Sequence, residues 1–161
     1  MIDFGKVQAD AVKNICKSEI TGKAADYRIY SAVTIDGNTY IPLVYKGISI
    51  YLIPERYSLL NPAFAGVGNP IVEKIFKSAE DAEQITDTKM IKILVKEWSG
   101  SVQLKEFKTK ENKSIFVDEK LIKPFGQGIR YYANENSDIV YIKEVDDWLG
   151  VAFATRVKDN E

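Results

Sequence analysis

The chain has 161 residues, 45% hydrophobic and 28% charged, with a formal net charge of −1. This length and composition suit one domain, or two half-size lobes sharing a core, and they argue against disorder except at the ends and against a globally basic nucleic-acid binder, though not a local basic stripe. With no histidine and one cysteine, Cys16, the chain cannot build a histidine-based triad, an imidazole metal site or an internal disulfide.

The first element is DFGKVQADAVKNICKSE, residues 3–19. Phe4, Val7, Ala11, Val12 and Ile15 recur at helical spacing, Asp3 can cap the start, and Thr21-Gly22 ends the pattern. Lys6, Lys13 and Lys17 then fall within roughly 40° of one another on the opposite face, with Asp10 beside them. Cys16 sits at the edge of the apolar face and reads as an inert structural thiol. The charges at Asp3, Lys6, Asp10 and Lys13 are incompatible with a signal peptide. No stretch reaches the roughly 18–20 apolar residues of a membrane span, so a cytoplasmic protein without membrane contact is expected.

A meander follows. Asp36-Gly37 predicts a tight hairpin between strands 27–35 and 38–45, and Lys46-Gly47 predicts a second two-residue turn into strand 48–53. These turns place Ile41, Leu43, Tyr45, Ile48, Ile50 and Leu52 on one face, read as core. Tyr27, Tyr40, Pro42, Val44 and Tyr51 fall on the other, read as half-buried or as a contact surface. Pro42 cannot donate to a ladder, so a bulge is expected there.

Residues 55–69 look irregular, with Gly66 and Gly68. Asn69-Pro70 predicts a capped helix over about 70–82, using Ile71, Ile75, Phe76 and Ala79. Strands are expected at 90–98, 101–108 and 113–117, a short helix from Asp118 to Pro124 or Phe125, and closing strands at 129–133, 139–144 and 148–157.

The expected fold is therefore α+β, a single domain 1–161. Its pseudo-repeat halves, about 3–54 and 90–157, are joined by the loop and helix 55–89, and each holds a helix followed by three antiparallel strands. The carboxylate pairs Glu80-Asp81, Asp118-Glu119 and Asp146-Asp147 read as caps and solvated turns rather than as a hydrolase or cation site. The glycines of GVGNP and FGQG match no nucleotide-binding fingerprint. No catalytic centre, metal or cofactor is expected. Three surfaces remain as candidates: the lysines Lys6, Lys13 and Lys17 with Lys120 and Lys123 of the short second helix, facing a polyanion; Arg130-Tyr131-Tyr132, able to stack bases; and Tyr27, Tyr40 and Tyr51, as a protein-partner face.

KSIFVDEKLIKPF followed by SDIVYIKEVDDWLGVAFATRV resembles the end of a DNA sliding-clamp domain. The N-terminal helix and DG hairpin resemble the other half of the same repeat. The order is also similar to that of small bacteriophage and prophage proteins. This resemblance implies a non-enzymatic clamp-like protein of phage or mobile-element origin that binds DNA or a replication partner, with Lys6, Lys13, Lys17, Lys120 and Lys123 facing phosphates. The chain departs from clamps in supplying a single domain's worth of repeats where rings need several, and further copies of the chain are a candidate partner. The alternative from the residues is a protein-binding inhibitor, a counter-defence or host-takeover factor that holds a host protein on its tyrosines.

Overall fold

The computed structural model describes residues 2–60, 70–96 and 100–157. The expected cap Asn69, the glycines Gly66 and Gly68, and the end of the strand expected at 90–98 lie outside the described residues. The fold is α+β, and the chain packs as two compact units, residues 2–80 and 81 onward. The segment expected as a joining piece is thus divided between the two.

In the first unit, helix α1 spans Phe4–Thr21. Asp3 caps it by accepting from the Lys6 backbone N–H at 2.9 Å. Gly22 ends it in the left-handed conformation, its N–H donating to the Ser18 carbonyl. Strands β1 (Tyr27–Ile29) and β2 (Val33–Ile35) both pair with β3 (Asn38–Tyr45), which pairs on its other side with β4 (Ser49–Pro54). All three pairings are antiparallel.

The strand expected over 27–35 is broken opposite Pro42. The Tyr30 N–H donates to the Pro42 carbonyl at 3.0 Å, and proline has no N–H to return. Register steps by one residue across this point, from Ile29↔Leu43 to Val33↔Tyr40, which is the irregularity expected at Pro42.

At Asp36-Gly37 both residues have positive φ, 51° and 80°, and Ile35 faces Asn38, so the first hairpin forms as read. The second differs. Lys46 and Gly47 also have positive φ, but Ile48 is an extra residue before the ladder resumes, and Tyr45 faces Ser49. This one-residue difference reverses every side chain of β4. Ser49, Tyr51 and Ile53 therefore share a face with Ile41, Leu43 and Tyr45, while Ile50 and Leu52 join Tyr40, Pro42 and Val44.

Helix α2 (Pro70–Lys77) continues into a 3-10 turn, Ser78–Asp81. It buries Val72, Phe76 and Ala79, whereas Ile71, expected inward, is exposed.

The second unit holds β5 (Glu83–Lys96), β6 (Gly100–Lys108), β7 (Ser114–Asp118), α3 (Glu119–Ile122), β8 (Arg130–Ala133), β9 (Ile139–Glu144) and β10 (Asp147–Phe153). Its strands run antiparallel in the order β10-β9-β8-β5-β6-β7. The Thr155 N–H donates to the Phe116 carbonyl at 2.8 Å, so the segment after β10 meets β7 and the two ends of this sheet come together. Leu104, Phe107, Val117, Phe125, Val140 and Ile142 are fully buried in this unit.

A helix precedes antiparallel strands twice, as α1 with β1–β4, four strands where three were expected, and as α3 with β8–β10. Packing differs between the two occurrences. The first helix has 18 residues and lies on β1, while α3 has 4 and packs chiefly on β6 and β7, the strands before it. The repeat is one of element order.

Candidate functional site

Helix α1 is held by side-chain amides as well as by hydrocarbon. Only Val7, Gln8 and Ala11 are buried, and Val12, expected inward, is exposed. The Gln8 amide nitrogen donates to the carbonyls of Phe4 and Tyr57, both at 3.0 Å, and its oxygen accepts from the Leu59 N–H at 2.7 Å. Asn14 accepts from the Asp26 N–H at 2.8 Å. Each buried polar atom of Gln8 thus has a partner, which is what permits a glutamine on the inner face. Sequence periodicity missed Gln8 because hydropathy alone does not see a satisfied amide.

The opposite face of α1 carries Lys6, Lys13 and Lys17, all exposed. No ion pair engages them among the described residues. Lys120 and Lys123 are likewise exposed around α3, in the second unit. Cys16 is exposed, not a packed structural thiol.

The three partner-face tyrosines do not share a surface. Tyr40 and Tyr51 are buried, and the Ile48 insertion sets them on opposite faces of the meander. Tyr27 is half-buried and packs on Tyr45, ring centroids 4.9 Å apart. Burial pushes the Tyr27 phenol above its ordinary value, helped by Tyr45, Asp10 and Asp26. Burial also pushes Tyr51 up to about 12, partly offset by the Ser49 hydroxyl beside it.

Arg130, Tyr131 and Tyr132 alternate along β8 as rim, core and half-buried. Tyr131 packs on Phe107, centroids 4.6 Å apart, and burial raises its phenol to about 12. A base cannot stack on a ring so placed.

Of the carboxylate pairs, Asp118 caps α3 by accepting from the Lys120 N–H, while Glu80-Asp81 and Asp146-Asp147 lie exposed. Among the described residues no group of three or more acidic or cysteine side chains is placed to hold a metal ion. No α-helix among them is long and apolar enough to cross a membrane.

Strand β5 brings together residues that the sequence did not. Its register with β6 steps from Asp87↔Phe107 to Ile91↔Lys105, so Thr88, Lys89 and Met90 bulge opposite Glu106. The bulge is tied internally. Thr88 Oγ1 donates to the Glu106 carbonyl, and the Lys89 N–H donates to Asp87 Oδ1 at 2.9 Å, with Lys89 at φ 62°. Asp87 also pairs with Lys105 Nζ at 3.0 Å and Lys89 Nζ at 3.2 Å. Although burial works against its charge, these partners hold the Asp87 carboxyl below the usual range.

Around this point lies a hollow of about 630 Å³, lined among others by Lys89, Lys105, Arg130 and the Gly126–Gly128 loop. A second, of about 850 Å³, includes Lys92, Lys113 and Arg156. There Lys92 lies over the Phe116 ring at 5.2 Å and Arg156 pairs with Asp138 at 3.1 Å. Only the Arg130 signal was visible in the sequence, and there as a base-stacking run rather than as one wall of a cationic hollow.

Compared with known protein families, curated proteins and solved structures, the chain matches none.

Proposed function

We propose that this chain is a non-enzymatic DNA-binding module. The observation that carries the reading is the exposed lysine face of α1, where Lys6, Lys13 and Lys17 stand opposite the buried side of the helix without an ion pair among the described residues. Lysines gathered on one helix face, here with Asp10 among them, are a basic stripe of the kind that makes sequence-independent phosphate contacts. Eighteen lysines against four arginines suit such point-charge contacts better than bidentate reading of guanine. The clamp-like, phage-type reading stands behind this as a more specific form of the same proposal, with Lys120 and Lys123 as further phosphate-facing positions. The protein-inhibitor reading is not carried forward, because two of its three tyrosines are buried.

Fluorescence anisotropy with duplex DNA over a range of salt tests the proposal. Salt-sensitive binding that weakens when Lys6, Lys13 and Lys17 are changed to Glu is the expected result. Absence of any salt-sensitive binding at low salt ends the DNA reading.

A further inference from the structure

Among the described residues, β5 beyond residue 90 pairs only with β6, and residues 100–103 of β6 pair only with β5. The outer part is thus a two-stranded ribbon with two open edges, about 20 Å long on its β5 side. One face carries Ile91, Ile93 and Val95, which are 43%, 62% and 77% exposed, so exposure rises outward along the strand. Strand alternation sends Lys92 and Lys96 to the other face. The sequence from 87 to 105 holds four lysines against Asp87 and Glu97, a positive excess in a chain of net charge −1. At the ribbon's base each face meets one of the two hollows, each with three cations and one carboxylate. On the isoleucine side are Lys89, Lys105 and Arg130 with Asp87, which pairs with both lysines. On the other are Lys92, Lys113 and Arg156 with Asp138, which pairs with the arginine.

Three occupants suit an exposed apolar ribbon in principle, and the chemistry separates them. A lipid interior leaves both open edges without hydrogen-bond partners, which hydrocarbon does not tolerate. A second copy pairing edge to edge in the register centred on Leu94 sets Lys92 opposite Lys96, a like-charge pair that disfavours this register. A wet, anionic groove satisfies both the edges and the lysines. A strand layer with its side chains is about 10 Å thick, against about 12 Å for the width of the B-form major groove. The corresponding groove of A-form RNA is deep and too narrow for side chains to read.

We propose that the β5–β6 ribbon enters the major groove of duplex DNA, so that each cationic hollow receives phosphates from one wall. Ile91, Ile93 and Val95 then lie against sugars and thymine methyl groups. This rests on the DNA-binding reading and adds the ribbon to the α1 lysine face as a second DNA contact.

The test is anisotropy of a short mixed-sequence DNA duplex against salt, using the full chain. The probes are the exposed-site variants Ile93→Asp with Val95→Asp, and Lys89→Gln with Lys92→Gln and Arg130→Gln. Unchanged circular dichroism and thermal midpoint confirm that both variants fold. The expected result is at least a tenfold loss of affinity for each, with the log–log salt slope of the charge variant shallower by about 0.9 per contact removed. Full-strength binding by both variants overturns the inference. If binding is then lost only when Lys6, Lys13 and Lys17 become Glu, the broader DNA reading survives; if the unaltered chain binds no DNA, both fall. Tighter binding to duplex RNA, or to phosphatidylserine vesicles, also overturns the inference.

Discussion

Strand β4, SIYLIP, and the outer half of β5, MIKILVK, have similar apolar content and opposite fates. In β4 every residue from Ser49 to Ile53 is buried, on both faces of the strand. In β5 nearly every residue from Met90 to Lys96 is exposed, the β-branched ones included. The difference lies in what each strand packs against. Lys92 and Lys96, with Leu94 between them, keep one face of β5 in water, while the other, Ile91, Ile93 and Val95, carries no charge and is exposed where β5 runs on past its pairing with β8. Hydropathy alone marks both as strands; the neighbours that strand pairing supplies decide which becomes core.

The largest test of this contrast is truncation of the buried strand. Leu52→Ala is expected to lower stability by about 2–5 kcal/mol, read by urea denaturation, because Leu52 is wholly enclosed. An effect below about 1 kcal/mol would show that β4 is not core.

Alkaline pH probes the same strand. Tyr51 is raised from 10.0 to about 12 in the folded chain. An acid whose folded pKa is raised binds more protons folded than unfolded between those values, so stability is complete below pH 10 and falls as pH rises toward 12. At about 1.4 kcal/mol per pH unit the loss from Tyr51 is about 2–3 kcal/mol, and Tyr51→Phe is expected to remove that part of the pH dependence.

At the ribbon's base the sign reverses. Asp87 is depressed, so its contribution is present above the unfolded carboxylate value and is lost as pH falls through the folded one. Asp87→Asn is expected to flatten the acid limb of a thermal-midpoint profile while shifting neutral-pH stability by less than about 1 kcal/mol. An unchanged acid limb would deny the carboxylate this role. The smallest effect belongs to Ile93→Ser, expected within about 0.5 kcal/mol of the unaltered chain in urea. A loss comparable to that of Leu52→Ala would mean that the ribbon face is covered in solution.

Much of the fold was legible where one residue type dictates one geometry. Asp3 and Gly22 bound α1, Asp36-Gly37 makes its hairpin, and Pro42 disturbs its neighbouring strand because it lacks an N–H. Turn residues alone did not reveal that Lys46-Gly47 is followed by one extra residue, and that single residue put Tyr40 and Tyr51 on different faces. The first half of β5, residues 83–89, was missed for a related reason. The bulge at Thr88, Lys89 and Met90 breaks the alternation that would have marked it, and its ties run to Glu106, eighteen residues from Thr88. The lysine face of α1 was readable because helical spacing is local. The cationic hollows were not, since Lys89, Lys105 and Arg130 meet only through strand pairing across the chain.

The meeting of sheet ends in the second unit also bears on how fast that unit forms. The β5–β6, β6–β7, β8–β9 and β9–β10 pairs are sequence-local and can form early, as hairpins do within microseconds. Glu83 pairs with Ala133 fifty residues away, and Phe116 accepts from Thr155 thirty-nine residues away. Each of those joins requires closing a long loop before it gains contacts, so this topology places the unit among slow, high-contact-order folders. Until the two sets of hairpins join, the inner faces of β6 and β9 stand open, and the rate of that closure sets how long the chain is exposed to aggregation during folding.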